Sequence, residues 1–124
     1  MQHLTKPHRL YGVTIHDKTT KSVVVPKYEI GILKAIWRGT ELNVQETAET
    51  REVMADARLV YNDLLNRYDN RAVASFFPGP ERLEIDLEAS AAETARWLAE
   101  VRRLEQIKEN RRTAADKQSG KRGA

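Results

Sequence analysis

The chain has 124 residues, of which 40% are hydrophobic and 31% charged, and its formal net charge is +3. This length corresponds to one ordinary domain and is sufficient to bury a core. Because the chain contains no cysteine, disulfides, thiolate metal sites and a cysteine nucleophile are all excluded.

The first predicted element is a β-hairpin. Residues 9–15 are rich in aromatic and β-branched residues, and residues 22–25 contain three consecutive valines. The polar residues 17–21 form the turn between them. Pro26 stops the second strand and suits the first turn of a helix.

A short helix is predicted over residues 27–38, where apolar residues recur at helical spacing. Gly31 costs this helix roughly 1 kcal/mol relative to alanine. The apolar residues of segment 28–32 also alternate, so a strand is the alternative for that segment.

The longest predicted helix spans residues 44–69. Asn43 and Glu46 match a capping box at its start, and acidic residues occupy its first turns. An apolar stripe follows at i, i+3, i+4 spacing, namely Val53, Ala57, Val60, Tyr61, Leu64, Leu65 and Tyr68.

A second hairpin is predicted from residues 71–77 and 82–88, with a break at Pro78-Gly79-Pro80. In residues 82–88 apolar and charged residues alternate strictly, which is typical of a half-buried strand.

The last predicted helix covers residues 91–108 and begins at a capping box formed by Ser90 and Glu93. Residues 109–124 are polar and basic, which indicates a flexible tail. We therefore predict one domain over residues 1–108 and a basic tail over residues 109–124.

The predicted fold class is α+β, in the order β-β-α-α-β-β-α. A small antiparallel sheet from the two hairpins packs against two long helices and one short helix. The predicted core consists of Tyr11, Val13, Ile15, Val24, Leu33, Ile36, Trp37, Val53, Val60, Leu64, Ile85, Leu87, Leu98 and Val101.

The charges are distributed in blocks. Residues 1–38 carry a net charge of +5, residues 39–100 a net charge of −7, and residues 101–124 a net charge of +5. Such blocks attract polyanions to the two ends of the chain, or favour head-to-tail self-association between opposite blocks. A solvated surface with uneven charge is the plainer explanation.

Two basic segments are candidate nucleic-acid-binding sites, because phosphate contact requires only lysine and arginine at modest density. The C-terminal candidates are Arg102, Arg103, Lys108, Arg111, Arg112, Lys117, Lys121 and Arg122. The hairpin candidates are Lys18 and Lys21. A solvated helix with salt bridges to Glu105 and Glu109 is the alternative, and no aromatic residue in the tail offers base stacking.

A narrow apolar seam on the last helix is the candidate protein-binding site. It consists of Leu98, Val101, Leu104 and Ile107. The seam either packs on the sheet as core or forms a partner-binding or oligomer face.

No residue is assigned a catalytic, cofactor-binding or metal-binding role, since no known catalytic or phosphate-binding motif is present. The histidines, at positions 3, 8 and 16, match no metal-site spacing. A small enzyme is the third alternative, and a pocket with His16 next to a buried carboxylate would favour it.

We predict a non-enzymatic accessory or structural assembly protein that binds macromolecules through its C-terminal helix and basic arm. In general character it is similar to small bacteriophage proteins, although no specific residue carries this resemblance. A nucleic-acid-binding module is the alternative. The expected partner is another protein or a second copy, with nucleic acid as the other candidate, and no small-molecule substrate.

The N-terminus has no apolar core of a signal peptide, and no apolar run approaches the roughly 20 residues that span a bilayer. We therefore expect no membrane partner, and a protein of the cytoplasm or of an assembly formed there.

Overall fold

A computed structural model describes residues 4–122, and side chains through residue 115. The fold is α+β, as predicted, but its element order is β-β-α-β-α-α-α. The elements are β1 (Thr5–His16), β2 (Thr20–Pro26), α1 (Lys27–Ile36), β3 (Glu41–Met54), α2 (Ala57–Arg67), α3 (Asn70–Phe76) and α4 (Pro80–Arg122).

The chain divides into two compact units, Met1–Thr94 and Ala95–Ala124. The first contains the sheet, helices α1 to α3 and the beginning of α4. The second contains the remainder of α4. The boundary predicted at residue 108 and the flexibility predicted for residues 109–124 stay predictions.

The sheet has three antiparallel strands in the order β2-β1-β3. The predicted N-terminal hairpin is confirmed, with Val13 of β1 opposite Val23 of β2. On its other side Val13 lies opposite Val44 of β3. β1 is therefore the central strand, and it starts earlier than the sequence predicted.

The β1–β3 pairing contains a bulge. Tyr11 lies opposite Glu46 and Arg9 lies opposite Thr50, so β3 carries two more residues than β1 between these pairs. The Arg9 Nε donates to the Thr47 carbonyl at 2.7 Å, and the Thr47 hydroxyl donates to the Leu10 carbonyl at 2.7 Å. These bonds fix the bulge in place, where it locally disrupts the ladder.

The helix predicted over residues 44–69 is wrong in its first half. Residues 44–54 belong to β3, and α2 begins only at Ala57, with Asp56 as its N-cap. The apolar residues at helical spacing begin only at Val53. The residues before Val53 form a strand because they pair with β1. β-branched Thr47 and Thr50 also favour a strand there.

The prediction of a second hairpin is also wrong. Residues 70–76 form helix α3, and residues 82–88 lie within helix α4, which starts at Pro80. Leu83 and Leu87 are one helical turn apart and both are buried, whereas Ile85 between them is 58% exposed. Their spacing of four fits a helix face as well as it fits a strand.

Helix α1 is confirmed, and the strand alternative for residues 28–32 is wrong. A Cβ atom at Gly31 would overlap the ring of Phe76. The glycine therefore allows α3 to approach α1 closely, which accounts for its place inside a helix.

The core of the first unit consists of two clusters. The larger cluster joins α1, the end of β3, α2, α3 and the start of α4. It consists of Tyr28, Ile32, Val53, Val60, Leu64, Ala72, Val73, Phe77, Leu83 and Leu87. The smaller cluster lies between the sheet and α1 and contains Val13, Ile15, Val25 and Leu33. Among the predicted core residues, Val24, Ile36 and Ile85 are exposed. Trp37 is half-buried.

Candidate macromolecule-binding surfaces

The predicted apolar seam lies on α4, in the unit Ala95–Ala124. Leu104 is 48% exposed, and Leu98, Val101 and Ile107 are half-buried. The prediction of Leu98 and Val101 as core residues is therefore wrong. Apolar side chains that stay partly exposed on a helix are available for contact with another molecule.

The sequence favours a helix in this unit for local reasons. Alanine, leucine, glutamate, arginine and lysine dominate residues 95–112, and these are strong helix formers. Arg103 donates to Glu100 one turn earlier. The amide of Gln106 donates to Asn110 at 3.1 Å. Such pairs support an exposed helix.

One side of this helix changes character along its length. At about 100° per residue, Trp97, Val101 and Leu104 project within an arc of about 60°. Further along, Lys108, Arg111 and Arg112 project around the same direction. We call these six residues the α4 stripe: its first half is apolar and its second half is basic.

The other basic candidates on α4 do not join this stripe. Arg102 and Arg103 project to the opposite side of the helix, by the same geometry. The hydrogen bond from Arg103 lowers the pKa of Glu100 and raises the pKa of Arg103. Within the part of the chain whose side chains are described, no ion pair involves Lys108, Arg111 or Arg112.

The remaining basic candidates differ in their surroundings. Lys18 is exposed in the β1–β2 turn. The Lys21 Nζ lies 5.1 Å from the centre of the Trp37 ring, a cation–π contact that holds this lysine against α1. The side chains of Lys117, Lys121 and Arg122 lie outside the described residues.

The structure brings together one pair that the sequence analysis missed. His8 Nδ1 and Ser90 Oγ share a hydrogen bond of 2.9 Å, although 82 residues separate them. The His8 ring also packs edge-on against Tyr28 at 5.7 Å. One position further along, the Arg9 backbone N–H donates to the Thr94 hydroxyl at 2.9 Å. Ser90, expected to cap a helix, instead joins α4 to β1.

A serine next to a histidine is also the arrangement of a nucleophile and its base. Here the His8 side chain is only 2% exposed and Ser90 only 5%. Burial is the largest cause of the lowered pKa of His8, with Lys6 adding to it and Glu52 opposing it. Such burial favours a clamp between β1 and α4 over a reactive centre.

His16 and the buried carboxylate of Glu29 have different hydrogen-bond partners. His16 is exposed, and its Nε2 lies 2.9 Å from the Asn43 amide nitrogen. The buried carboxylate of Glu29 accepts two hydrogen bonds from Arg67 at 3.1 Å and one from the Tyr68 hydroxyl at 2.6 Å. This network joins α1 to the end of α2.

An open groove of about 480 Å³ lies within the first unit, between α1, β3 and the start of α4. Its apolar lining includes Ile30, Val44, Phe76 and Ala89. Over the described residues, no three histidine, aspartate or glutamate side chains are placed to hold a metal ion.

None of the helices, over the residues described, combines the length and the apolar character that crossing a bilayer requires. No protein-family model, no curated protein and no solved structure matches this chain.

Proposed function

We propose that this protein is a non-enzymatic accessory or assembly protein that binds another macromolecule through α4. The observation that carries the proposal is the α4 stripe, in which partly exposed Val101 and Leu104 precede the exposed basic residues Lys108, Arg111 and Arg112. A solvated helix gains nothing from apolar side chains on its surface, whereas a binding helix buries them against its partner.

The charge of the stripe defines the partner. Burying Val101 and Leu104 requires an apolar surface, and the neighbouring lysine and arginines require acidic groups beside it. A protein surface that is apolar at one end and acidic at the other meets both requirements.

The test compares two variants on the same helix. Leu104→Asp places a charge in the stripe, whereas Ala99→Asp places the same charge on another side of the helix. In purifications of each tagged full-length protein from its source cells, we expect the partner with wild type and Ala99→Asp. We expect it to be lost with Leu104→Asp. A partner retained by all three proteins would contradict the proposal.

Nucleic-acid binding is the second candidate, supported by the common direction of Lys108, Arg111 and Arg112. About three phosphate contacts predict that affinity falls roughly 40-fold between 50 mM and 200 mM salt. Fluorescence anisotropy with a 20-base-pair DNA duplex measures this decrease, and RNA of the same length is compared with it. Arg111→Glu/Arg112→Glu should abolish binding, while Arg102→Glu, on the other side, should weaken it little. Equally poor binding by all variants at low salt would exclude this candidate.

A further inference from the structure

The sheet has two open edges. β1 has a neighbour on each side, but over the described residues β2 and β3 each pair only with β1. Residues 20–24 of β2 are exposed, and so are the residues of β3 between positions 41 and 46 except half-buried Leu42. Each edge presents backbone N–H and C=O groups that a further strand can pair with.

The two edges carry opposite charges. β2 (Thr20–Pro26) contains Lys21 and no acidic residue, and Lys18 lies next to Asp17 in the turn before it. Residues 41–46 contain Glu41 and Glu46 and no basic residue. Like edges of two copies therefore repel each other, whereas the β2 edge of one copy attracts the β3 edge of another.

Exposed apolar residues accompany these charges. Val23 and Val24 are 36% and 44% exposed on β2, and Val44 is 42% exposed on β3. Valine in a strand is normally covered by neighbouring strands or by a packed face. An added strand at either edge would cover these side chains.

The bulge limits where pairing can take place. It interrupts β3 after Glu46, and therefore leaves residues 41–46 as a regular run of six. β2 has seven residues, so it is long enough to pair with all six. Residues 50–54 of β3, beyond the bulge, form a second regular run against β1, and the bulge separates it from residues 41–46.

The groove beside Val44 supplies the space that a second copy needs. In each copy α1 packs over Val13 and Val25 on one face of the sheet. A second copy that keeps this face aligned places its own α1 beside β3 of the first copy, on the face of the sheet where the groove of about 480 Å³ lies open. Since β2 and β3 run in the same direction, the new strand pair is parallel.

We propose that a second copy of this chain adds its β2 to the β3 edge of the first, over residues 41–46. The contact joins two different surfaces, so it repeats from copy to copy and builds a ring or an open chain. It does not use the α4 stripe, and it is therefore independent of the function proposed above.

Sedimentation velocity of the full-length protein from 5 to 500 µM tests this proposal. We expect the average mass to rise above that of the monomer, and Val44→Asp to raise the dissociation constant at least tenfold. Leu104→Asp, which alters only the α4 stripe, should associate like wild type. A wild-type monomer at 500 µM, or association lost in Leu104→Asp but kept in Val44→Asp, would overturn the proposal.

Charge reversal provides a second test that does not depend on an apolar position. Lys18→Glu/Lys21→Glu and Glu41→Lys/Glu46→Lys should each weaken association at least tenfold. The variant with all four changes should recover it, because the two edges are again opposite in charge. Circular dichroism establishes that each variant is folded. Failure of the fourfold variant to recover association would contradict pairing between these two edges.

Discussion

His8 illustrates how a single side chain makes the stability of this fold depend on pH. Its imidazole is buried between Ser90 and Tyr28, and burial lowers its pKa below the ordinary value of 6.5. The unfolded chain therefore binds a proton at higher pH than the folded one. Above pH 6.5 the neutral His8 makes its full contribution to the stability of the fold. This contribution decreases as the pH falls below 6.5, and the decrease ends below the pKa that His8 has in the folded protein.

We therefore expect the free energy of unfolding to decrease between pH 7.5 and pH 5.5. Urea unfolding at each pH measures this change. In His8→Gln the decrease should be smaller, although the variant is less stable at every pH. His16→Gln, which changes an exposed histidine, should keep the wild-type dependence. Equal slopes in wild type and His8→Gln would show that other groups cause it.

The buried Glu29 carboxylate predicts a second effect at this scale. Arg67→Met removes its charged partner and leaves Glu29 with the Tyr68 hydroxyl. Loss of one partner of a buried ion pair lowers stability strongly, but Arg67 is 40% exposed and solvent screens part of the effect. We therefore expect Arg67→Met to lower the free energy of unfolding by about 2 kcal/mol. Chemical denaturation should show that Glu29→Met/Arg67→Met is more stable than Arg67→Met alone.

At the scale of elements, the start of α2 can be tested through its cap. The Asp56 carboxylate accepts hydrogen bonds from the backbone N–H groups of Arg58 at 3.1 Å and Leu59 at 3.4 Å. We expect Asp56→Ala to lower the free energy of unfolding by about 1 kcal/mol. Asn43→Ala serves as the control, because no helix begins there, and it should change stability by less than about 0.5 kcal/mol. A larger loss at Asn43 would contradict the boundary of α2.

The elements show where local patterns are sufficient and where they are not. The hairpin of β1 and β2 and the helix after Pro26 follow from residues next to one another, and the sequence predicted them. Residues 44–54 have no strong pattern of their own, and their strand exists because β1 pairs with them. In residues 82–88 the alternating pattern predicted a strand wrongly, since the spacing of Leu83 and Leu87 fits both a strand and a helix.

The same distinction applies to the candidate surfaces. The basic residues and the apolar seam of α4 are neighbours along one helix, so their spacing identifies them. The contact between His8 and Ser90 joins residues far apart in the chain, and no local signal indicates it. The open edges of the sheet became recognisable only after β3 was known to be a strand.

At the scale of the whole molecule, the buried hydrophobic residues of the described chain lie between Leu10 and Ala91. We therefore expect deletion of residues 109–124 to leave the melting temperature of the first unit within about 2 °C of wild type. Differential scanning calorimetry measures it, and Leu83→Ala is the destabilised reference, expected to cost 2–5 kcal/mol. A large decrease on deletion would show that these residues contribute to the core.

The contact of β1 with the start of α4 also sets an order of events during synthesis. The ribosome adds about 5–20 residues per second, so the 85 residues between Arg9 and Thr94 take roughly 4–17 seconds to follow. During this time β1 and β2 can form their hairpin, but β1 waits for β3, and His8 waits for Ser90. The nascent chain thus carries a sheet without its last contacts for several seconds, during which the edge of β1 that later pairs with β3 is exposed.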